Sequence, residues 1–339
     1  MNIERFKEKI DQFDKVHVLV IGDMMLDHFI YATVSRISPE APVPIAEVIS
    51  ETFKPGGAAN TINNIRALGG SVIPIGIVGD DAEGRKLISL LMDKETDKGC
   101  LLIDVNRPTT VKMRVIADGQ QIVRVDREKR ESIHYKYTCK IVDFVRENID
   151  NIDAIVISDY DKGVITSKLL ENVISLSKRH NKPVIADPKI EHFLDYKGAK
   201  VVTPNIKEAS VVTGIRFVNE TSVINMGQWI LTHLDCDAVI ITRGKDGMSL
   251  FEKEGKITHI PAIAKEVYDV TGAGDTVTSV VSLALAVGAD ISHAAILANS
   301  AASVVVSKVG TATLTREELK NQIDKSKEKI LELNTRVIA

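Results

Sequence analysis

Val16-His17-Val18-Leu19-Val20-Ile21-Gly22-Asp23 is a short apolar run that stops at a turn glycine and a carboxylate. Apolar residues at consecutive positions suit a strand buried on both faces, because a half-exposed strand would alternate polar and apolar side chains. The same unit recurs at 73–78 before Gly79-Asp80, 154–157 before Ser158-Asp159, 184–186 before Asp187-Pro188, 201–202 before Thr203-Pro204-Asn205, and 238–241 before Thr242-Arg243-Gly244. Helical periodicity fills the intervals, and that alternation predicts an α/β fold, a mostly parallel central sheet flanked by helices. Ligands of such sheets bind beyond the carboxyl ends of the strands. Asp23, Asp159, Asp187, Asn205 and Arg243 all stand there and as a set predict a polar site, although each alone is equally well a turn former or helix cap.

The 339 residues are 44% hydrophobic and 26% charged, enough for a sizeable core and unlike a disordered or collagen-like chain. One domain over 1–339 with a small appendage accommodates that length. A net charge of -3 gives no general attraction to nucleic acid or an anionic membrane, so neither is an expected partner and phosphate must be bound in a local pocket. Cys100, Cys139 and Cys236 lie far apart without a CxxC pair, which argues against a disulfide framework and a zinc site and for a reducing compartment. Residues 1–13 set Ile3, Phe6, Ile10 and Phe13 at helical spacing among charges of both signs, unlike a signal peptide. The longest apolar stretch, near 280–289, is shorter than the roughly 18 residues that span a bilayer. A cytoplasmic location is expected.

Two segments break the strand-helix rhythm, 29–50 and 109–126. In the second, Val111, Met113 and Val115 alternate with Lys112 and Arg114, and Ile122, Val123 and Val125 follow an Asp118-Gly119 turn, which predicts a hairpin. The first carries Pro39, Pro42 and Pro44 before 45–48, a rigid turn and then a strand. Together they predict a small β lid over the crevice, with a decorative edge hairpin as the alternative. Residues 315–333 read as a solvated terminal helix docked through Leu and Ile positions.

Asp269-Val270-Thr271-Gly272-Ala273-Gly274-Asp275-Thr276 precedes an apolar run from Val277. Two glycines at a helix start let the backbone turn tightly and aim several N–H groups at one point, an anion cradle. Asp275 within it suits a general base that takes a proton from a hydroxyl while the amides of Gly272, Ala273 and Gly274 hold a phosphoryl group. For the bare Gly-Ala-Gly-Asp string, an N-cap Asp after a glycine turn is an equal alternative.

The full string resembles the C-terminal signature of the ribokinase family of carbohydrate kinases, also called the phosphofructokinase-B family. The family's paired-glycine motif is matched by Pro55-Gly56-Gly57-Ala58-Ala59-Asn60, its opening strand by Val20-Ile21-Gly22-Asp23, and its nucleotide-side motif by Thr203-Pro204-Asn205-Ile206-Lys207-Glu208. Within the family, Ser35-Arg36-Ile37-Ser38-Pro39-Glu40-Ala41-Pro42-Val43-Pro44 resembles the lid of the heptose 7-phosphate kinases, the kinase half of ADP-heptose synthases. Thr110-Val111-Lys112-Met113-Arg114, Gln120-Gln121-Ile122-Val123-Arg124, Ser158-Asp159-Tyr160-Asp161-Lys162-Gly163 and Asp187-Pro188-Lys189 agree with that subgroup, while Ile190 departs from its usual glycine. The chain resembles the kinase half alone.

The resemblance implies a ribokinase-like fold and ATP-dependent phosphorylation of the anomeric hydroxyl of a heptose 7-phosphate to the 1,7-bisphosphate. It implies Asp275 as base, with Gly272, Ala273 and Gly274 as the anion hole. Asp23, Asp27, Gly56, Gly57 and Asn60 would grip the sugar, and Arg36, Lys112, Arg114, Arg124, Lys162 and Lys189 are candidate cations for its phosphate. Asn205, Ile206, Lys207, Glu208, Thr242, Arg243, Gly244 and Asn299 would face ATP, with Asn205 and Glu208 holding Mg2+ through water. Asp269 and Thr271 would form a K+ loop. The exposed lid edge could pair with a second copy into a homodimer. The alternatives are another sugar or sugar-phosphate kinase of the family and, from a different class, a non-catalytic sugar or nucleotide sensor. A nicotinamide oxidoreductase, a P-loop kinase and a HExxH metallohydrolase are each missing their motif.

Overall fold

The computed structural model of the chain describes residues 3–92, 99–263, 267–308, 310–332 and 335–337. Its strands are β1 His17–Gly22, β2 Met24–Ile37, β3 Pro44–Gly57, β4 Ser71–Gly79, β5 Cys100–Asp104, β6 Thr110–Ala117, β7 Gln120–Arg127, β8 Ala154–Ser158, β9 Val184–Asp187, β10 Val201–Val202, β11 Ala238–Thr242, β12 Met248–Glu252, β13 Lys256–Ile260 and β14 Thr335–Val337. Each apolar run that ends in a turn or polar residue in the series above is a strand, whereas the run from Val277 is helical. One sheet has the order β14-β13-β12-β11-β10-β9-β8-β1-β4-β5. It is parallel from β11 to β5, and β12, β13 and β14 extend it antiparallel, an edge outside the series of apolar runs.

Helices cover both faces, which is why β1 is apolar throughout. Val18 and Val20 pack in the layer with Ile62, Ile65, Val277 and Val280, whereas Leu19 and Ile21 pack in the layer with Ile141, Val145 and Val173. The chain leaves β1 toward β4 and β5 on one flank and reaches β8, β9, β10 and β11 on the other. A crevice opens where that direction reverses. The register pairs Gly22 with Ser158 and Ser158 with Asp187, so the polar strand ends arrive level with one another.

The two segments expected to form a lid build a second, four-stranded sheet ordered β3-β2-β6-β7. It is larger than the sequence suggests: β2 begins at Met24, one residue past β1, and β3 runs on to Gly57. Pro39 and Pro42 sit in the connection between them as expected, while Pro44 opens β3 and Pro55-Gly56-Gly57 closes it inside the strand. Asp118 and Gly119 both have positive φ, 50° and 76°, as a two-residue hairpin of the primed type requires. The terminal segment is two helices, Arg316–Lys325 and Lys327–Leu331, broken at Ser326 and docked through Leu319, Ile323 and Ile330; Leu333 lies outside the described residues. The three cysteines are free, and no helix among the described residues is long and apolar enough to cross a membrane.

Candidate active site

The Ala273–Ala286 helix starts behind Gly272, whose φ of 81° favours glycine and whose added Cβ would lie 2.7 Å from Asn60 Nδ2. Asp275, in the first turn, is 3% exposed. Its Oδ2 accepts from Asn60 Nδ2 at 2.7 Å, and its Oδ1 accepts from the Tyr160 hydroxyl at 2.6 Å and from Thr61 Oγ1 at 3.3 Å. Burial lifts its carboxyl above the ordinary aspartate range, opposed by these donors and by the charge of Lys189. The cradle needs one correction. The Ala273 N–H donates to the Val270 carbonyl at 3.2 Å, so the amides of Gly274 and Asp275 are the ones a helix start leaves without intrahelical acceptors.

Beside Asp275 lies an acidic cluster with one cation. Burial raises Asp187 to about 7, and Glu208 and Asp275 push in the same direction. Burial opposes the charge of Lys189, but Asp187 and Glu208 outweigh it and raise its pKa. Lys189 Nζ is 2.6 Å from Glu208 Oε1 and 3.8 Å from Asp187 Oδ1. Tyr160 is absent from the residues to which the sequence assigned a role, and Asp187 was named there only in the strand-end set that predicts a polar site. Tyr160 was hidden because nothing in its spacing shows that its hydroxyl reaches a residue 115 positions away.

On the sugar side, Asp23 does not present itself as expected. Its Oδ2 accepts from the N–H groups of Tyr160 and Lys162 at 2.9 and 3.1 Å, and its Oδ1 from that of Val164 at 3.0 Å. At 1% exposure it organises the loop after β8, and burial, helped by Asp159, raises it to about 6. Asp27 lies where the glycine pair is: a Cβ on Gly56 would come within 2.6 Å of its Oδ2. Arg114 Nη1 meets Asp27 Oδ1 at 2.6 Å, and Lys112, paired with Asp27 in the β2–β6 register, has its pKa lowered by burial. Lys162 pairs with Glu128 at 3.1 Å. Arg124 stands opposite Arg114 with both its bonds on Asp126, and Arg36 is at the far end of β2, two-thirds exposed beside Glu47. Asp27, Lys112, Arg114, Lys162 and Lys189 are therefore brought toward the crevice, and Arg36 is not. Asn60, expected to grip the sugar, gives its amide to Asp275 instead.

On the nucleotide side, Asn205 and Glu208 form a capping box on the helix that begins with Ile206 and Lys207. Asn205 Oδ1 accepts from Lys207 and Glu208 N–H, and Glu208 Oε2 accepts from Asn205 N–H. The three carboxylates Asp187, Glu208 and Asp275 against Lys189 still leave surplus negative charge that a hydrated divalent cation fits. Among the described residues no group of three or more His, Cys, Asp or Glu side chains is placed to hold an ion directly, so water and nucleotide oxygens would have to complete its shell. Thr242 bridges to Asn205, and Gly244 has a φ of 59° beyond it. The Arg243 guanidinium turns away, bonded to Glu220 and Ser249. Asn299 is buried and donates to the Pro261 carbonyl at 2.9 Å. Asp269 accepts from Thr271 N–H and Gly310 N–H, and the neighbouring Thr311 hydroxyl is buried without a partner, a spare oxygen that suits a monovalent cation.

Residues 15–318 match the family described as pfkB family carbohydrate kinase. The chain is 45% identical over 304 residues to the "Bifunctional protein HldE" of Geobacter metallireducens, covering 90% of this chain and 62% of that protein. It is 43% identical over 302 residues to the protein of the same name from Helicobacter hepaticus, covering 89% and 62%. The chain thus spans less than two thirds of the length of these relatives. Arabidopsis thaliana ribokinase, solved with ribose and ATP, superposes with a TM-score of 0.73 at 20% identity over 91% of this chain and 98% of that one. Escherichia coli phosphofructokinase-2, solved with potassium, gives 0.73 at 21% identity over 91% and 98%.

Proposed function

The chain belongs to the pfkB family of carbohydrate kinases, and from that premise we propose that it uses ATP to phosphorylate the anomeric hydroxyl of a heptose 7-phosphate, yielding the 1,7-bisphosphate for ADP-heptose synthesis. The observation that carries this reading is the buried Asp275 at a helix N-terminus, hydrogen-bonded to Tyr160, over whose ring the small sheet places the Lys112 ammonium at 5.5 Å. Asp275 takes the proton of the acceptor hydroxyl as that oxygen attacks the γ-phosphorus, and the bond to ADP breaks. The Gly274 and Asp275 amides and the positive end of the helix stabilise the equatorial oxygens in flight. Lys112, Arg114 and Lys162 hold the sugar's own phosphate, while Asp27 and Gly56 orient its hydroxyls. Asn205 and Glu208 would hold magnesium through water, where it would supply charge neutralisation for the phosphates, and Asp269, Thr271 and Thr311 would hold potassium beside the glycine turn. The closed lid excludes water.

A panel of sugars and sugar phosphates with ATP and magnesium, read as ADP release, tests the assignment. Preference for heptose 7-phosphate is expected. Preference for ribose or fructose 6-phosphate would move the chain to another branch of the family, and no ADP release with any sugar would leave only the sensor reading.

A further inference from the structure

We propose that Tyr160 is a placeholder on the base: before the acceptor arrives, its hydroxyl occupies the place on Asp275 that the acceptor hydroxyl later takes, and so keeps water from being activated against ATP. This rests on Asp275 being the base. A carboxylate offers about four lone-pair sites, and three on Asp275 are taken. Two of the donors, Asn60 and Thr61, come from the Ala58–Ala67 helix and are fully buried. The third and shortest bond, 2.6 Å, comes from Tyr160, which is only partly buried. Its hydroxyl is enclosed, but it is the one donor that comes from the loop after β8 and not from a helix, and so the one an entering hydroxyl can replace.

The surroundings of Tyr160 fit a part that is held and then released. Its loop is pinned by the three N–H bonds to Asp23, and Asp161 beside it has a φ of 54°. The backbone is fixed, so the hydroxyl can leave Asp275 only by a turn of the ring about its side-chain torsions. Lys112 from the lid and Lys189 from the end of β9 each place an ammonium 5.5 Å from the ring centroid. A phosphorylated sugar draws Lys112 onto its own oxygens and removes one of the two contacts that hold the ring. Burial and the charge of Asp275 push the phenol well above the ordinary tyrosine value, so it stays a protonated donor and a poor nucleophile. In the wasteful reaction that this arrangement blocks, a water oxygen bonds to the γ-phosphorus, its proton passes to Asp275, and the bond to ADP breaks, releasing ADP and phosphate.

Tyr160→Phe keeps the ring and removes only the hydroxyl. With ATP and magnesium and no sugar, ADP release is expected to rise about tenfold, the scale of one hydrogen bond to a charged group. With heptose 7-phosphate, the acid limb of the kcat/KM profile, which reports the free enzyme, should move to higher pH, because the unliganded carboxylate has lost a donor that favoured its charged form, while the acid limb of kcat should stay in place. ATP affinity and the unfolding midpoint report that the variant is folded. A sugar-free rate that is unchanged or lower overturns the placeholder, whatever happens to kcat, since a residue that merely positions Asp275 would lower both rates. The double variant with Asp275→Asn separates the two layers of inference. If it abolishes the raised rate, both stand; if the raised rate persists, water is activated elsewhere and the assignment of the base itself fails.

Discussion

At the scale of single residues, the site works by opposing forces on a few carboxyls. Asp275 is lifted by burial and pulled back by three donors, with the net effect of making it more basic than a solvated aspartate. Asp275→Asn keeps its shape and loses the basic oxygen, so kcat should fall about a hundred- to ten-thousandfold while ATP still binds, checked by titration calorimetry beside turnover. Asp23 gives a pH signature. Its folded value is about 6, whereas an exposed aspartate titrates near 4. Between those values the folded chain holds the proton that the unfolded chain has lost, so this group's contribution to stability declines as pH rises from about 4 to about 6 and is then constant. Asp23→Asn cannot ionise. Its stability deficit against the parent should therefore shrink by on the order of 2 kcal/mol across that interval, and denaturant melts that show a deficit independent of pH would contradict the assignment. Neither effect was legible in the sequence, where Asp23 and Asp275 are alike as acids next to glycines.

At the scale of elements, the sequence announced each buried strand because both faces had to be apolar, and it announced the glycine turns because few other residues tolerate them. It understated the lid, since β2 and β3 continue past the stretch where their composition stands out. The junction of β3 with the helix that follows is set by Gly57, at φ 57° and ψ −135°, where an added Cβ would lie 2.6 Å from the Asp23 carbonyl oxygen. Gly57→Ala should cost about 1–3 kcal/mol from backbone strain alone and raise the KM for sugar, because the junction holds Gly56 against Asp27. A thermal melt and a saturation curve check it, and an unperturbed variant would show that the junction is looser than its geometry. The pairing of Asp27 with Lys112 and Phe29 with Arg114 was likewise beyond reach of local pattern, because β2 and β6 join in parallel across about 85 residues of chain.

At the scale of the whole molecule, the lid's outward face remains to be covered. Ile30, Met113, Val115, Val123 and Val125 share it by register, and Val123 and Val125 are about half exposed. An apolar sheet face of this kind, with β3 and β7 as free edges, favours a second copy of the chain. We expect a dimer by light scattering and a monomer for the Val123→Asp, Val125→Asp pair; a parent already monomeric at high concentration would refute the interface. The chain's own order of residues determined the α/β class, the strand ends that carry polar groups and the glycine turn, because these follow from local hydrophobic period and from backbone geometry that few residues permit, while its quoted motifs carried the resemblance to the family. Only the tertiary structure decided that Tyr160 and Asn60 spend their polar groups on Asp275, that Asp23 serves a loop, and that Asn205 and Glu208 cap a helix. Those choices depend on which donor meets which acceptor across long stretches of chain, and hydrogen bonds, unlike hydrophobic burial, are assigned by ångström-scale distance and direction that no one-dimensional pattern records.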